Sequence, residues 1–199
     1  MKIENILAKF KEIEKGQKTG VYEVEPELIE VARLHTEFFL RRYKKEPERH
    51  WRRGEKRTTF VGLVGQKVFD LMLQQFGVPS DRNDPTIDWR LEKRYDYHIP
   101  RLGTVETKTF DYWCGKVLIK VSEWHGNDYC VIFQFKDEKP TEVNMMGWLT
   151  KEQVEKLQIS KKGETKYTPY ADAYITDFDK LNPSYDFIEK LRQASLYSA

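Results

Sequence analysis

The chain has 199 residues and a formal net charge of +2, and this length can bury a core without disulfide bonds. Its two cysteines, Cys114 and Cys130, lie sixteen residues apart without a CxxC pair, which argues against a zinc site or an iron–sulfur cluster. No apolar run has membrane-spanning length, and the N-terminus lacks the apolar core of a signal peptide, so we expect a soluble, cytoplasmic protein that does not enter a membrane.

Helical spacing of apolar residues dominates the first part of the chain. It predicts an amphipathic helix over residues 2–15 and a second helix that Pro26 opens and that runs into a basic stretch. A third helix is predicted from about residue 59 to residue 76, ended by Gly77. Residues 79–90 are rich in Pro, Asp and Asn, and this composition predicts a loop.

Alternation of apolar and polar residues takes over after this loop. It predicts strands over 94–99, 104–109, 117–121 and 129–135, an extended segment over 167–175, a short helix capped by Thr150, and a closing helix over 186–196. Helices followed by strands and then by mixed elements indicate an α/β (α+β mixed) fold with a central mixed β-sheet flanked by helices. We expect one compact domain, in which a helical, partly basic region over 1–56 precedes a core over 57–199.

The charge is most uneven over residues 41–57, which carry nine lysines and arginines against three glutamates. Such a patch attracts the phosphates of nucleic acid, and a solvated helix end with internal salt bridges explains it equally well. On the first interpretation, the residues that contact DNA are Arg41, Arg42, Lys44, Lys45, Arg52, Arg53, Lys56 and Arg57.

Amide side chains are scarce, with five Asn and eight Gln in the whole chain. Abundant Lys and Glu with few thermolabile amides is the trend in proteins from heat-adapted organisms. The composition therefore favours a thermophilic source.

The two strands predicted around residue 100 contain the pattern with the clearest chemical meaning. Glu106 and Lys108 are two residues apart on a strand, so their side chains share one face. Asp96 joins them if the loop between the strands has an odd length, because residue 98 then pairs with 104 and Asp96 lies opposite Glu106. A four-residue loop would turn Asp96 away, and a β-bulge would restore the convergence.

Two carboxylates side by side repel each other, and one of them tends to hold a proton. A divalent cation such as Mg²⁺ relieves this repulsion and completes its coordination with waters and phosphate oxygens, and it can activate a water for in-line attack. An adjacent ammonium, here that of Lys108, would orient this water or stabilise charge on the phosphate. Exposed Glu-x-Lys pairs without any catalytic role are nevertheless common on strands.

The order Asp96, Glu106, Lys108 resembles the signature of the restriction-endonuclease-like, or PD-(D/E)XK, nuclease superfamily. In that superfamily an Asp is followed, after a variable gap, by Glu or Asp, any residue, and Lys. Residues 60–66 resemble the helix before the hairpin, where Gly-Glu is common, although this chain has Gln66 in place of the acid. Tyr95 stands where the named form of the motif has Pro. The resemblance covers roughly residues 57–190.

The resemblance implies a restriction-endonuclease-like core and an endonuclease that hydrolyses DNA phosphodiester bonds with Mg²⁺ or Mn²⁺. Asp96, Glu106 and the Thr107 backbone carbonyl would bind the metal, Lys108 would position the attacking water, and Gln66 would contribute from the helix. The neutral Gln66 weakens the expectation of a second metal ion. A homodimer is expected because one site cuts one strand, so a double-strand cut needs two sites.

Two other interpretations remain open. The chain can be a non-catalytic nucleic-acid-binding protein on the same fold, with a metal site weakened by Gln66 and with residues 41–57 carrying the affinity. It can also be an unrelated α+β interaction module, in which the Glu106–Lys108 pair is only a surface feature.

Overall fold

The computed structural model describes residues 18–43, 55–82, 95–139, 141–167 and 171–196. The helices of this part of the chain are α1 Pro26–Tyr43, α2 Glu55–Gln75, α3 Lys151–Glu155 and α4 Ser184–Leu196. Its strands are β1 Gly20–Glu23, β2 Asp81–Arg82, β3 Tyr97–Ile99, β4 Gly103–Phe110, β5 Val117–Lys120, β6 Tyr129–Phe135, β7 Glu142–Thr150, β8 Gln158–Ser160 and β9 Ala173–Thr176. None of the helices described combines the length and the apolar character needed to cross a bilayer. The helix predicted over 2–15 lies outside the described residues.

Six strands form a mixed sheet in the order β1-β7-β6-β4-β3-β2. Strands β4 and β6 run parallel, and the other neighbouring pairs are antiparallel. A second, antiparallel sheet has the order β5-β9-β8. The mixed α/β class and the central mixed sheet predicted from the sequence are therefore confirmed.

The three long helices share one core with one face of the six-stranded sheet. Apolar side chains of α1, α2 and α4 form a single buried cluster with side chains of β1, β3, β4, β6 and β7. Phe69 of α2 lies at its centre and contacts the rings of Tyr97, Phe133 and Phe187. Full burial of one such side chain contributes about 1.5–3 kcal/mol. Strand β1 and helix α1, both within the region 1–56, thus pack on the same sheet as the rest of the chain.

The second sheet and α3 cover the opposite face. Val117 and Ile119 of β5 form a second buried cluster with Cys130 and Ile132 of β6, joined by Val154 of α3. Strand β6 is therefore buried on both faces, which explains its nearly continuous apolar sequence. Strand β4 pairs in register with β6, with Glu106 beside Cys130 and Lys108 beside Ile132. This register places the Glu-x-Lys pair on the face that the second sheet covers.

Several sequence predictions need correction. The strand predicted over 117–121 exists as β5 but belongs to the second sheet. Among the described residues of the extended segment predicted over 167–175, a strand begins at Ala173. Strands β1, β2, β7 and β8 were not predicted, and β2 lies within the loop predicted over 79–90. In β7, Gly147 has φ 145°, and the Asn182 backbone lies where its Cβ would be, so a glycine in mid-strand marks a close approach of two backbones.

Candidate active site

The β3–β4 hairpin has the odd register that convergence of Asp96 and Glu106 requires. Tyr97 pairs with Val105 and His98 with Thr104, and the innermost pair leaves the three residues 100–102 in the loop. Because the loop is odd, position 96 falls on the level of position 106. The sequence prediction that residue 98 pairs with residue 104 is confirmed.

Gly103 and Asp128 hold this register in place. Gly103 has φ 115°, a conformation that favours glycine, and the Asp128 carboxylate occupies the space that a Cβ would need. Asp128 Oδ2 accepts hydrogen bonds from the Thr104 backbone N–H at 2.8 Å and from its hydroxyl at 2.9 Å. The turn is therefore fastened to the start of β6, and a slip of one residue would break these bonds.

Asp96 lies at a bend just before β3. Its N–H donates to the carbonyl of Val105 at 3.2 Å, although Val105 already pairs with Tyr97, so the pairing is irregular here in the manner of a β-bulge. Its Oδ2 accepts from the Thr107 N–H at 2.8 Å and from the Thr107 hydroxyl at 2.7 Å. Its Oδ1 accepts from Gln66 Nε2 at 3.2 Å. The carboxylate is thus held at the edge of β4 by three donors.

Helix α2 brings Gln66 to Asp96. The Tyr97 side chain is buried, and its hydroxyl lies 2.8 Å from the Gln66 carbonyl and 2.9 Å from Asp70 Oδ1. Asp70 in turn forms an ion pair with Arg82 of β2. These contacts tie α2 to β2 and β3 next to Asp96, and Gln66 of this helix meets Asp96 as expected from the sequence.

Glu106 and Lys108 form the second half of the site. Lys108 Nζ lies 2.7 Å from Glu106 Oε1. Two residues that the sequence analysis did not assign to the site complete it: Asn127 Nδ2 donates to Glu106 Oε2 at 3.5 Å, and Glu123 Oε2 lies 3.7 Å from Lys108 Nζ. The Asn127 side chain is buried, and burial of a polar side chain is visible only in the fold.

The electrostatics of the pair are unequal. Burial raises the pKa of Glu106 to about 7, and the nearby Asp96 charge adds to this effect while Lys108 opposes it. Burial acts to lower the pKa of Lys108, but the charge and hydrogen bond of Glu106 outweigh it, so the pKa of Lys108 lies above its usual value. At neutral pH the lysine is charged while the glutamate is close to its midpoint. The positive charge of Lys108 therefore does not offset the effects of burial and of the Asp96 charge on the pKa of Glu106.

The oxygen atoms at this site suit a hard divalent cation. In a strand, the N–H and C=O of one residue point to the same neighbouring edge, so the Thr107 carbonyl faces the edge where its N–H meets Asp96. Two carboxylates and a backbone carbonyl are ligands that Mg²⁺ accepts, and a cation would offset the repulsion at Glu106. Within the described ranges, no group of three or more His, Cys, Asp or Glu side chains is arranged to hold a metal.

The candidate DNA-contacting residues fall into three sets. The Arg57 side chain forms intramolecular hydrogen bonds. Its guanidinium donates to both Asp111 carboxylate oxygens, at 2.8 and 2.9 Å, and to the Glu138 carbonyl at 3.2 Å. Arg41 and Arg42 lie in α1 and Lys56 in α2. Lys44, Lys45, Arg52 and Arg53 lie outside the described residues.

No protein-family model matches the chain, and comparisons with curated proteins and with solved structures find no match. The resemblance to restriction-endonuclease-like nucleases therefore remains a prediction from the residues and their geometry.

Proposed function

We propose that this protein is a Mg²⁺- or Mn²⁺-dependent deoxyribonuclease of the restriction-endonuclease-like kind. The hairpin register supports this proposal more than any other observation, because it sets Asp96 beside Glu106-Thr107-Lys108. The raised pKa of Glu106 adds to it. A fold that keeps two repelling carboxylates together incurs a free-energy cost that a bound cation would remove.

Each residue of the site has a role in the proposed reaction. Asp96, Glu106 and the Thr107 carbonyl would hold the cation, and Gln66 and the Thr107 hydroxyl keep the Asp96 carboxylate oriented. The cation, when bound, supplies positive charge at the phosphate and makes water a stronger nucleophile. Lys108 Nζ, protonated at neutral pH, would orient the attacking water and stabilise negative charge on the phosphate. The neutral Gln66 favours one cation over two.

Two further parts of the proposal concern the oligomeric state and the cellular compartment. An endonuclease that cuts both strands needs two sites, so we propose a homodimer. Cys114 and Cys130 are free thiols, and unpaired thiols suit a reducing compartment such as the cytoplasm.

A substrate panel tests the activity directly. The full chain is incubated with linear duplex, single-stranded, flap and four-way-junction DNA in Mg²⁺, Mn²⁺ or EDTA, and cleavage is measured on denaturing gels. Lys108→Ala is expected to lose on the order of 100-fold or more of the cleavage rate, because it removes a charge aimed at the reacting phosphate. Glu106→Ala is expected to abolish metal-dependent cleavage.

Lys136→Ala is the matched control. Lys136 Nζ lies 2.7 Å from Glu142 Oε2, the same separation as in the Lys108–Glu106 pair, but this pair is exposed. Its removal is expected to leave cleavage unchanged. Full metal-dependent cleavage by Lys108→Ala or Glu106→Ala would refute the proposed site, and so would cleavage that persists in EDTA.

One observation favours the alternative of a non-catalytic nucleic-acid-binding protein. Protein donors already occupy both oxygens of Asp96, and Lys108 and Asn127 contact both oxygens of Glu106. A site satisfied in this way can be stable without a cation. Binding of DNA without cleavage in either Mg²⁺ or Mn²⁺, with a steep salt dependence, would select this function.

A further inference from the structure

Two aromatic side chains are exposed directly after β4. Trp113 is 70% exposed and Tyr112 is 44% exposed. Both follow Phe110, the last residue of β4, whose partly buried ring contacts that of Phe178. Large apolar side chains exposed side by side are typical of interaction sites.

The backbone of this loop is held firmly. The Cys114 N–H donates to the Asp111 carbonyl at 3.0 Å, and the Tyr112 N–H donates to the Asp111 carboxylate at 3.0 Å. Gln134 Nε2 donates to the carbonyls of Asp111 and Cys114, at 3.2 and 2.8 Å. Such a loop presents its rings with little ordering left to occur on binding.

Asp111 also holds the start of a helix. Burial acts to raise its pKa, but the hydrogen bonds from the Arg57 side chain and the Tyr112 N–H, together with the charge of Arg57, outweigh this and lower it. Arg57 is the last residue of the basic run 41–57 and lies in the first turn of α2. Its hydrogen bond with Asp111 therefore joins the loop to the start of this helix.

The loop therefore lies beside Arg57 and close to the candidate active site. Asp111 follows Lys108 by three residues along an extended strand, which corresponds to a separation on the order of 10 Å. A nucleic-acid strand whose phosphates reached from Arg57 to Lys108 would pass the aromatic faces of this loop. Aromatic side chains beside a positively charged path are the arrangement by which proteins bind single strands, because every base has a face that can stack.

We propose that Tyr112 and Trp113 form a stacking platform for unpaired bases, so that the substrate of this protein is nucleic acid with a single-stranded segment or an open end. The proposal rests on the proposed function for the class of ligand, since it deepens the description of the same site. Bases inside a continuous duplex are stacked on one another and are not available to the platform.

Binding is measured apart from cleavage. The full chain carrying Glu106→Gln is titrated into fluorescently labelled single-stranded DNA of mixed sequence and into the matching blunt duplex, at one fixed salt concentration. Adding Trp113→Ala is expected to weaken single-strand binding about tenfold and duplex binding less than about threefold, from the loss of one stacked base. Trp113→Phe, which keeps an aromatic face, is expected to retain most of the affinity.

Phe38→Ala is the control, because Phe38 is an aromatic side chain that is 50% exposed on a different element, helix α1. The single-strand affinity of this variant is expected to stay unchanged. Equal single-strand affinity with and without Trp113→Ala would overturn the platform. A shift from dimer to monomer on Trp113→Ala in analytical ultracentrifugation would overturn it as well, by making the loop a contact between copies.

Cleavage by the wild-type chain separates the two proposals. Metal-dependent cleavage with no effect of Trp113→Ala on binding removes the platform alone. Loss of single-strand affinity in Trp113→Ala, in a protein that does not cleave, removes the nuclease activity and keeps the platform.

Discussion

Glu106 holds a carboxyl group in conditions that oppose its charge. Glu106 is 8% exposed, so burial raises the pKa of its carboxyl group. The charge of Asp96 raises this pKa further, and the hydrogen bond from Lys108 compensates only in part. A group that gains so much from losing its charge is expected either to take up a proton or to bind a cation. Uptake of a proton can be detected from the pH dependence of the free energy of unfolding in the absence of divalent cations.

Glu106→Gln is expected to change the pH dependence of stability in the absence of divalent cations. The folded-state pKa of about 7 lies above the ordinary value of 4.5, so the unfolded chain loses this proton first as the pH rises. The wild type therefore loses stability between about pH 4.5 and 7, by on the order of 3 kcal/mol, whereas the Gln variant lacks this loss. Urea unfolding in EDTA at several pH values measures it. Parallel pH profiles for the two proteins would mean that Glu106 titrates normally.

Thr107 is expected to act as a positioning residue for Asp96. Thr107→Val removes the hydroxyl that donates to Asp96 Oδ2 at 2.7 Å and keeps the backbone donor at 2.8 Å. Loss of such an outer hydrogen bond typically costs about 10- to 100-fold in metal affinity or activity. We expect the Mg²⁺ concentration for half-maximal cleavage to rise by about tenfold in Thr107→Val.

Thr107→Ser provides the rescue for this test, because it restores the donor with one methyl group fewer. Its Mg²⁺ requirement should be close to that of the wild type. If the Ser variant is impaired and the Val variant is not, packing of the Thr107 methyl matters and the hydroxyl does not.

At the scale of elements, the contact between α2 and β4 brings Gln66 to the site. Gly65 is the residue that permits it, because a Cβ there would overlap the Thr109 side chain, while a Cβ at Gly62 would meet nothing within 4 Å. Helix α2 therefore packs closely against β4 at Gly65.

Gly65→Ala and Gly62→Ala are therefore a matched pair with opposite expected effects. Gly65→Ala should destabilise the fold by about 1–3 kcal/mol through overpacking. Gly62→Ala should stabilise it by up to about 1 kcal/mol, because alanine favours a helix. Thermal unfolding of the two variants, with identical added atoms, measures the difference. Equal melting temperatures would show that α2 can move away from β4 without cost.

The elements that the sequence predicted correctly have a long pattern of their own, but length is not sufficient, because the nine-residue strand β7, with Gly147 in its interior, was not predicted. Helices α1, α2 and α4 show apolar residues at helical spacing over three turns or more, and β4 and β6 are strands of eight and seven residues. Strands β1 and β8 have four and three residues, too few for alternation to be distinguished from a loop. Their stability comes from partners distant in the sequence, β7 and β9, which no local pattern reveals.

On the scale of the whole molecule, the candidate site combines parts that the sequence predicts with parts that only the topology supplies. Asp96, Glu106 and Lys108 are brought together by one hairpin, so their proximity can be predicted from the register of its two strands. Glu123 reaches Lys108 because the second sheet packs on the face of β4 that carries the pair, and Asn127 reaches Glu106 because β6 runs parallel to β4. A parallel neighbour needs a long connection, and its position cannot be read from residue spacing.

The charge of the whole chain provides the last prediction, which concerns the basic run 41–57. A variant with alanine at Lys44, Lys45, Arg52 and Arg53 should bind duplex DNA with a log affinity that falls less steeply with log salt, by about 3 units of slope if all four contact phosphates. A control variant with alanine at the exposed Lys18, Lys136, Lys156 and Lys180 has the same net charge, so only the location of the lost charges differs. Its slope should stay within about one unit of the wild type, since these lysines are not expected to release counterions from DNA. Fluorescence anisotropy at several salt concentrations measures both slopes. Equal slopes for the two variants would show that overall charge, and not the basic run, attracts the nucleic acid.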